Sequence, residues 1–123
     1  MEKIYYNKLC RDNVPEIIRN KGFECEIRVV EDAEFRREII RKVLEEATGV
    51  SNQKNPENLL KEMADLVITI DAVKKEFGIT DEMLSGAVSH SLSEKGGYTK
   101  HQYISWSSDT EYSSHDHGAG LDD

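Results

Sequence analysis

The chain of 123 residues is long enough for one modest domain. With 37% hydrophobic and 33% charged residues, it describes a folded core under a heavily ionised surface. Acids outnumber bases 24 to 16, a formal charge of −8, which argues against a polymeric nucleic-acid partner, because binding through phosphate contacts needs a basic face. The longest apolar stretch, Leu66 to Ile70, is far short of the roughly 20 residues of a membrane span.

Met1 to Lys8 is mixed and polar, without a signal-peptide pattern, so the expected address is the cytoplasm. There Cys10 and Cys25, in no metal-like spacing, are expected as free thiols.

The first predicted element is a short helix through Pro15, Glu16, Ile17 and Ile18, with Asp12 and Asn13 as caps and Gly22 as its end. Glu24 to Val30 alternates in part through Cys25, Ile27 and Val29, and reads as a short strand or an extended linker. From Asp32 the period becomes helical. Phe35, Ile39, Val43 and Val50 share a face, with Ile40, Leu44 and Ala47 beside them, until Gly49 and the run Ser51 to Asn55 break the helix.

The next helix starts sharply, with Asn55 as cap, Pro56 in its first position and Glu57 in its first turn. Its apolar stripe is Leu59, Met63, Leu66, Ile70, Val73 and Phe77, widened by Leu60, Ala64, Val67 and Ile68. So wide an apolar circumference is seldom enclosed within a small domain, and a second subunit is expected on its far side. Gly78 ends it, Thr80 caps a last helix through Leu92, and Gly96-Gly97 ends that one. The expected fold is all-α, a helical bundle around a central hairpin. Residues 1–104 form the domain, and 105–123 a polar tail rich in Ser, Asp and Gly.

The hairpin is acidic. Glu45 and Glu46 lie on its first helix; Glu62 and Asp65, three apart and therefore on one side, lie on its second. Glu46 falls between Phe35 and Ile39 on the helical wheel, inside the apolar stripe, where an unpaired carboxylate is costly. A bound cation or a buried salt bridge would offset that cost. Hard dications such as Mg²⁺ are held by a few carboxylates plus substrate phosphates, and facing helices of a bundle can supply them. Helical i, i+3 acid pairs also arise by chance in a chain this acidic. Lys42, one turn before Glu46, reads equally as an i, i+4 partner or as a point charge for a phosphate.

Leu44-Glu45-Glu46-Ala47 followed by Glu62-Met63-Ala64-Asp65-Leu66 resembles the EExxE…ExxD signature of the MazG-like nucleotide pyrophosphohydrolases. Lys8-Leu9-Cys10-Arg11-Asp12-Asn13-Val14-Pro15-Glu16-Ile17-Ile18 is similar to the KLVRDKIPEII opening of the phosphoribosyl-ATP pyrophosphohydrolase-like branch. Glu94 to Lys100 is similar to its closing ERGGFEK segment. The three blocks stand in the family's order and span the body from Lys3 to about Ile104.

The resemblance implies an all-α dimer or tetramer that binds Mg²⁺, with Mn²⁺ as a substitute. It would cleave a nucleoside triphosphate or related nucleotide between the α- and β-phosphates, giving a monophosphate and pyrophosphate. Carried over by position, Glu46, Glu62 and Asp65 match the metal-binding acids, and Glu45 the first acid of the signature. Glu45 and Glu46 are the candidate catalytic bases; Lys42, Arg11 and Lys95 are candidate substrate contacts.

Two departures bear on catalysis. The third glutamate of EExxE is Gly49 here, and Glu38 is three turns away, too distant to substitute; Asn13 stands where the opening block has lysine. A catalytically impaired member that senses nucleotide or metal is therefore one alternative, and a structural helical oligomer with solvated acids is another.

Weaker candidates complete the chain. Lys100 flanks a Gly-Gly turn that could admit phosphate, and Tyr98, Tyr103 and Trp106 offer rings for stacking or for an oligomer interface. His115 and His117 read as part of a solvated tail, and His90 carries no assigned role.

Overall fold

The computed structural model describes residues 2–111. It contains α1 (Val14–Asn20), α2 (Asp32–Asn52), α3 (Pro56–Glu76) and α4 (Asp81–Lys95). No strand occurs among the described residues, so the fold is all-α as expected. Glu24 to Val30 takes the extended-linker alternative, since alternation makes a strand only where a second strand pairs with it. Both cysteines are free, Cys10 exposed and Cys25 half-buried. No described helix is long and apolar enough to cross a membrane. His115 and His117, and the tail beyond residue 111, lie outside the described residues.

Local chemistry explains most helix ends. The Asn55 side chain accepts hydrogen bonds from the Glu57 and Asn58 amides at 2.8 and 3.3 Å, satisfying two orphan donors of α3 beside Pro56. Replacing Asn55 with alanine is expected to cost about 1 kcal/mol. That is read as a melting temperature a few degrees lower; an unchanged transition would contradict the cap's contribution.

Gly78 takes the left-handed conformation (φ +68°) after α3, and the Ile79 amide returns to the Lys74 carbonyl at 2.9 Å. Gly22 (φ +89°) closes α1 in the same way, with Phe23 bonded back to Ile18. Thr80 Oγ1 accepts from the Met83 amide at 3.1 Å and so caps α4. The expected cap at Asn13 does not form: its backbone is already helical (ψ −2°), and its side chain makes no cap hydrogen bond.

The second correction concerns Gly49. α2 does not break at the glycine but runs on to Asn52 and ends inside the expected run Ser51 to Asn55, at Gln53, whose extended backbone (ψ 138°) leaves the helix. One glycine weakens a helix by about 1 kcal/mol but does not terminate it when its φ and ψ stay helical.

Helices α2 and α3 pack along one another as a hairpin, the one substantial helix–helix contact among the described residues. Arg36 of α2 bonds Glu76 of α3 at 2.8 Å and ties the open end. The sequestered side of α3 is Glu62, Asp65, Leu66, Thr69, Ala72, Val73 and Glu76.

It is therefore not the predicted apolar stripe that faces inward. Leu66 and Val73 are half-buried, but Leu59, Met63, Ile70 and Phe77 are exposed, and Leu60 and Val67 retain 69% and 65% of their accessible surface. On α2, Ile40 and Leu44 are likewise exposed. Ile39, Thr69 and Pro15 are the buried residues among those described, and no large side chain is fully enclosed. The less exposed side of the hairpin holds the carboxylates together with Phe35, Ile39, Val43 and Val50 of α2 and Leu66 and Val73 of α3, while the other large apolar side chains of both helices lie exposed on its outer surfaces.

Two compact units divide the chain, Met1–Ala87 and Val88–Asp123. In the second, α4 ends at Lys95, Gly96 follows in the left-handed conformation (φ +75°), and Tyr98, Tyr103 and Trp106 are exposed.

Candidate metal centre

The acidic side chains predicted to meet do meet. One carboxylate oxygen each from Glu46, Glu62 and Asp65 lies within 4.8 Å of the others, and all three residues are half-buried. Glu46 projects from α2 between residues that face α3; Glu62 and Asp65 come back from α3 at i, i+3 spacing. Mg²⁺ binds oxygen at about 2.0–2.1 Å, which puts neighbouring ligand oxygens about 3 Å apart and opposite ones about 4 Å apart. Carboxylates already this close need only side-chain torsions to reach such spacing. A hard dication fits the donor set, which is all oxygen and triply anionic.

Cations of the protein surround the cluster. Lys42 is only 16% exposed; it hydrogen-bonds Glu45 and stands 3.5 Å from Glu46. The pair expected at i, i+4 is thus present, but in the seam instead of on the surface. Arg11, from the segment before α1, reaches Asp65 at 3.4 Å. Lys8, from the same segment, bonds Glu45. Four carboxylates (Glu45, Glu46, Glu62 and Asp65) therefore meet three cations (Lys8, Arg11 and Lys42). Glu62 is the member for which no ion pair forms among the described residues.

Hydrogen bonds from Lys42 and then Lys8 hold the Glu45 carboxyl below the usual carboxylate range, against a smaller opposing push from burial. A depressed folded value contributes stability that is present above the unfolded carboxylate range and lost as pH falls through the folded value. Lys8→Met is expected to move the Glu45 carboxyl part of the way back up, with Lys42 supplying the remainder, and to weaken that acid-side loss of stability. Carboxyl-detected NMR titration reads the first effect. A Glu45 titration identical to wild type would show that Lys8 does not engage it in solution.

Lys8 was missed by sequence reasoning. Its partner is 37 residues away, and Arg11's is 54 away; the available signal was two cations three apart in an otherwise mixed segment facing an acid-rich chain. Lys95, the third candidate substrate contact, is exposed at the end of α4, in the second unit. Lys100 is exposed there too, and His90 stands 3.5 Å from Glu94, one turn on. In comparisons with known proteins, no family model, no curated protein and no solved structure matches this chain.

Proposed function

We propose that the protein is a Mg²⁺-dependent nucleotide pyrophosphohydrolase, cleaving a nucleoside triphosphate or related nucleotide between its α- and β-phosphates. The observation that carries the reading is the convergence of Glu46, Glu62 and Asp65 in a half-buried seam. The MazG-like arrangement of the acids in sequence points the same way. In this reading Glu46, Glu62 and Asp65 hold the cation, with Mn²⁺ able to replace Mg²⁺. Bound there, the ion supplies positive charge to phosphoryl oxygens and acidifies a water.

The chain's own groups do the rest. Four carboxylates and three cations sum to one negative charge; adding a divalent ion turns that into one positive charge, suited to a polyphosphate. Glu45 is held by two ammonium groups and Glu46 by Lys42 and the cation, so neither is a free carboxylate, and the general base is one of these two. It takes the proton as a water oxygen bonds to the α-phosphorus and the bridging Pα–O bond breaks, releasing pyrophosphate. Arg11 and Lys42, already at the cluster edge, would contact the departing phosphates.

Self-association belongs to the same reading. The apolar backs of α2 (Ile40, Leu44) and α3 (Leu60, Met63, Val67) are exposed, and further copies of the chain would cover them, as a dimer through one back or a tetramer through both.

The test is pyrophosphate release from common and damaged nucleoside triphosphates with Mg²⁺, with and without chelator. Chelator-sensitive release supports the reading. Saturable nucleotide binding without product would replace it by a sensor role, and neither signal by a structural helical oligomer.

A further inference from the structure

Gly49 lies in the interior of α2, three residues after Glu46 and four after Glu45, on the side that meets α3. Its backbone is helical, so nothing in its φ or ψ calls for glycine, and glycine is the poorest helix former after proline. What the position lacks is room. A Cβ there would overlap Glu62 Oε1 and stand 3.4 Å from Glu62 Cδ. The Glu62 carboxylate therefore rests in a notch left in the helix surface by the missing side chain.

We propose that Gly49 is a positioning residue for the cation: its notch seats the Glu62 carboxylate against α2, where it converges with those of Glu46 and Asp65. This rests on the reading of the three acids as a metal centre. The position that carries a third glutamate in the resembling signature is here emptied, and a carboxylate from the opposite helix fills the space. Glu62 is suited to it, since no ion pair among the described residues holds it elsewhere.

Glycine could instead be present only to let the two helices approach, and the two roles have opposite signatures. The obstacle to a methyl group is the end of a flexible side chain, not backbone, so Gly49→Ala should leave the metal-free fold as stable as wild type or more so, alanine being the better helix former. At the same time the displaced carboxylate should lower the affinity for Mn²⁺ alone, followed by electron paramagnetic resonance of the free ion, by at least tenfold. Shortening the displaced side chain, in Gly49→Ala combined with Glu62→Asp, should recover part of that loss.

A Gly49→Ala protein that melts lower in chelator, or that binds Mn²⁺ as wild type does, overturns the proposal, as does a double variant no better than the single one. Wild-type protein that binds no Mn²⁺ overturns the metal centre itself, and that arm separates the two failures.

Discussion

Glu62→Gln is expected to abolish divalent-ion binding and pyrophosphate release together, while the hairpin stays folded. Glutamine keeps the length and shape of the side chain and can still occupy the space beside Gly49, so packing changes little. Its loss is a negative charge and half of the acceptor capacity of the group. Because Glu46 stands 3.5 Å from Lys42 and Asp65 3.4 Å from Arg11, Glu62 supplies the negative charge least compensated by the protein.

Removing even residues that support metal ligands commonly costs 10–100-fold in affinity or activity. A direct ligand is expected to cost at least about 100-fold in both. Thermal melting in chelator should be unchanged or slightly raised, since mutual repulsion among four carboxylates is relieved. Turnover within a few-fold of wild type in Glu62→Gln would remove the metal centre from the chemistry altogether.

The contrast with Lys8 and Arg11 sharpens that expectation. These cations approach the acids from a segment outside the hairpin, and their side chains are more than one-third exposed, so each pair contributes little to folding. In the proposed reading their importance would lie in the sign of the local field: they limit repulsion among the carboxylates, and they would meet phosphates once a cation is bound.

What was legible in the sequence divides along physical lines. The start of α3 could be read because Asn55, Pro56 and Glu57 act through bonds no longer than a helical turn. The convergence of Glu62 and Asp65 could be read for the same reason, and Glu46 betrayed itself by standing in an apolar stripe. The turns at Gly22 and Gly78 follow from one residue's freedom to adopt positive φ.

Illegible were features decided by what lies across the seam. Gly49 looks like a helix stop until Glu62 is seen against it. Lys8 looks like an ordinary surface lysine until Glu45 is seen beside it. The orientation of α3 was hidden as well. Its apolar residues cover so much of the circumference that periodicity cannot choose the side facing α2, which the acids share with Leu66 and Val73.

The exposed apolar back of α3 leads to the prediction with the largest structural effect. Leu60 and Val67 lie two turns apart on the back of α3 and are among its most exposed side chains. Burying such a side chain stabilises a fold by about 1.5–3 kcal/mol, so two of them account for about 3–6 kcal/mol per chain if a second copy covers them. A whole domain is stable by only about 5–15 kcal/mol. With Ile39 the one buried hydrophobic side chain of the described core, little else is available to hold the hairpin.

The wild-type melting temperature should therefore rise with protein concentration, as it does when folding and association are linked. Sedimentation should give a mass of two or four chains. Placing Glu at both positions, Leu60→Glu with Val67→Glu, would put two charges into that interface, and the variant should be monomeric and without a cooperative transition where wild type is folded. A wild-type protein that sediments as one chain and melts at one temperature across a hundredfold range of concentration would show instead that the apolar back of α3 is tolerated in water, and that the contacts within the hairpin alone hold the two helices together.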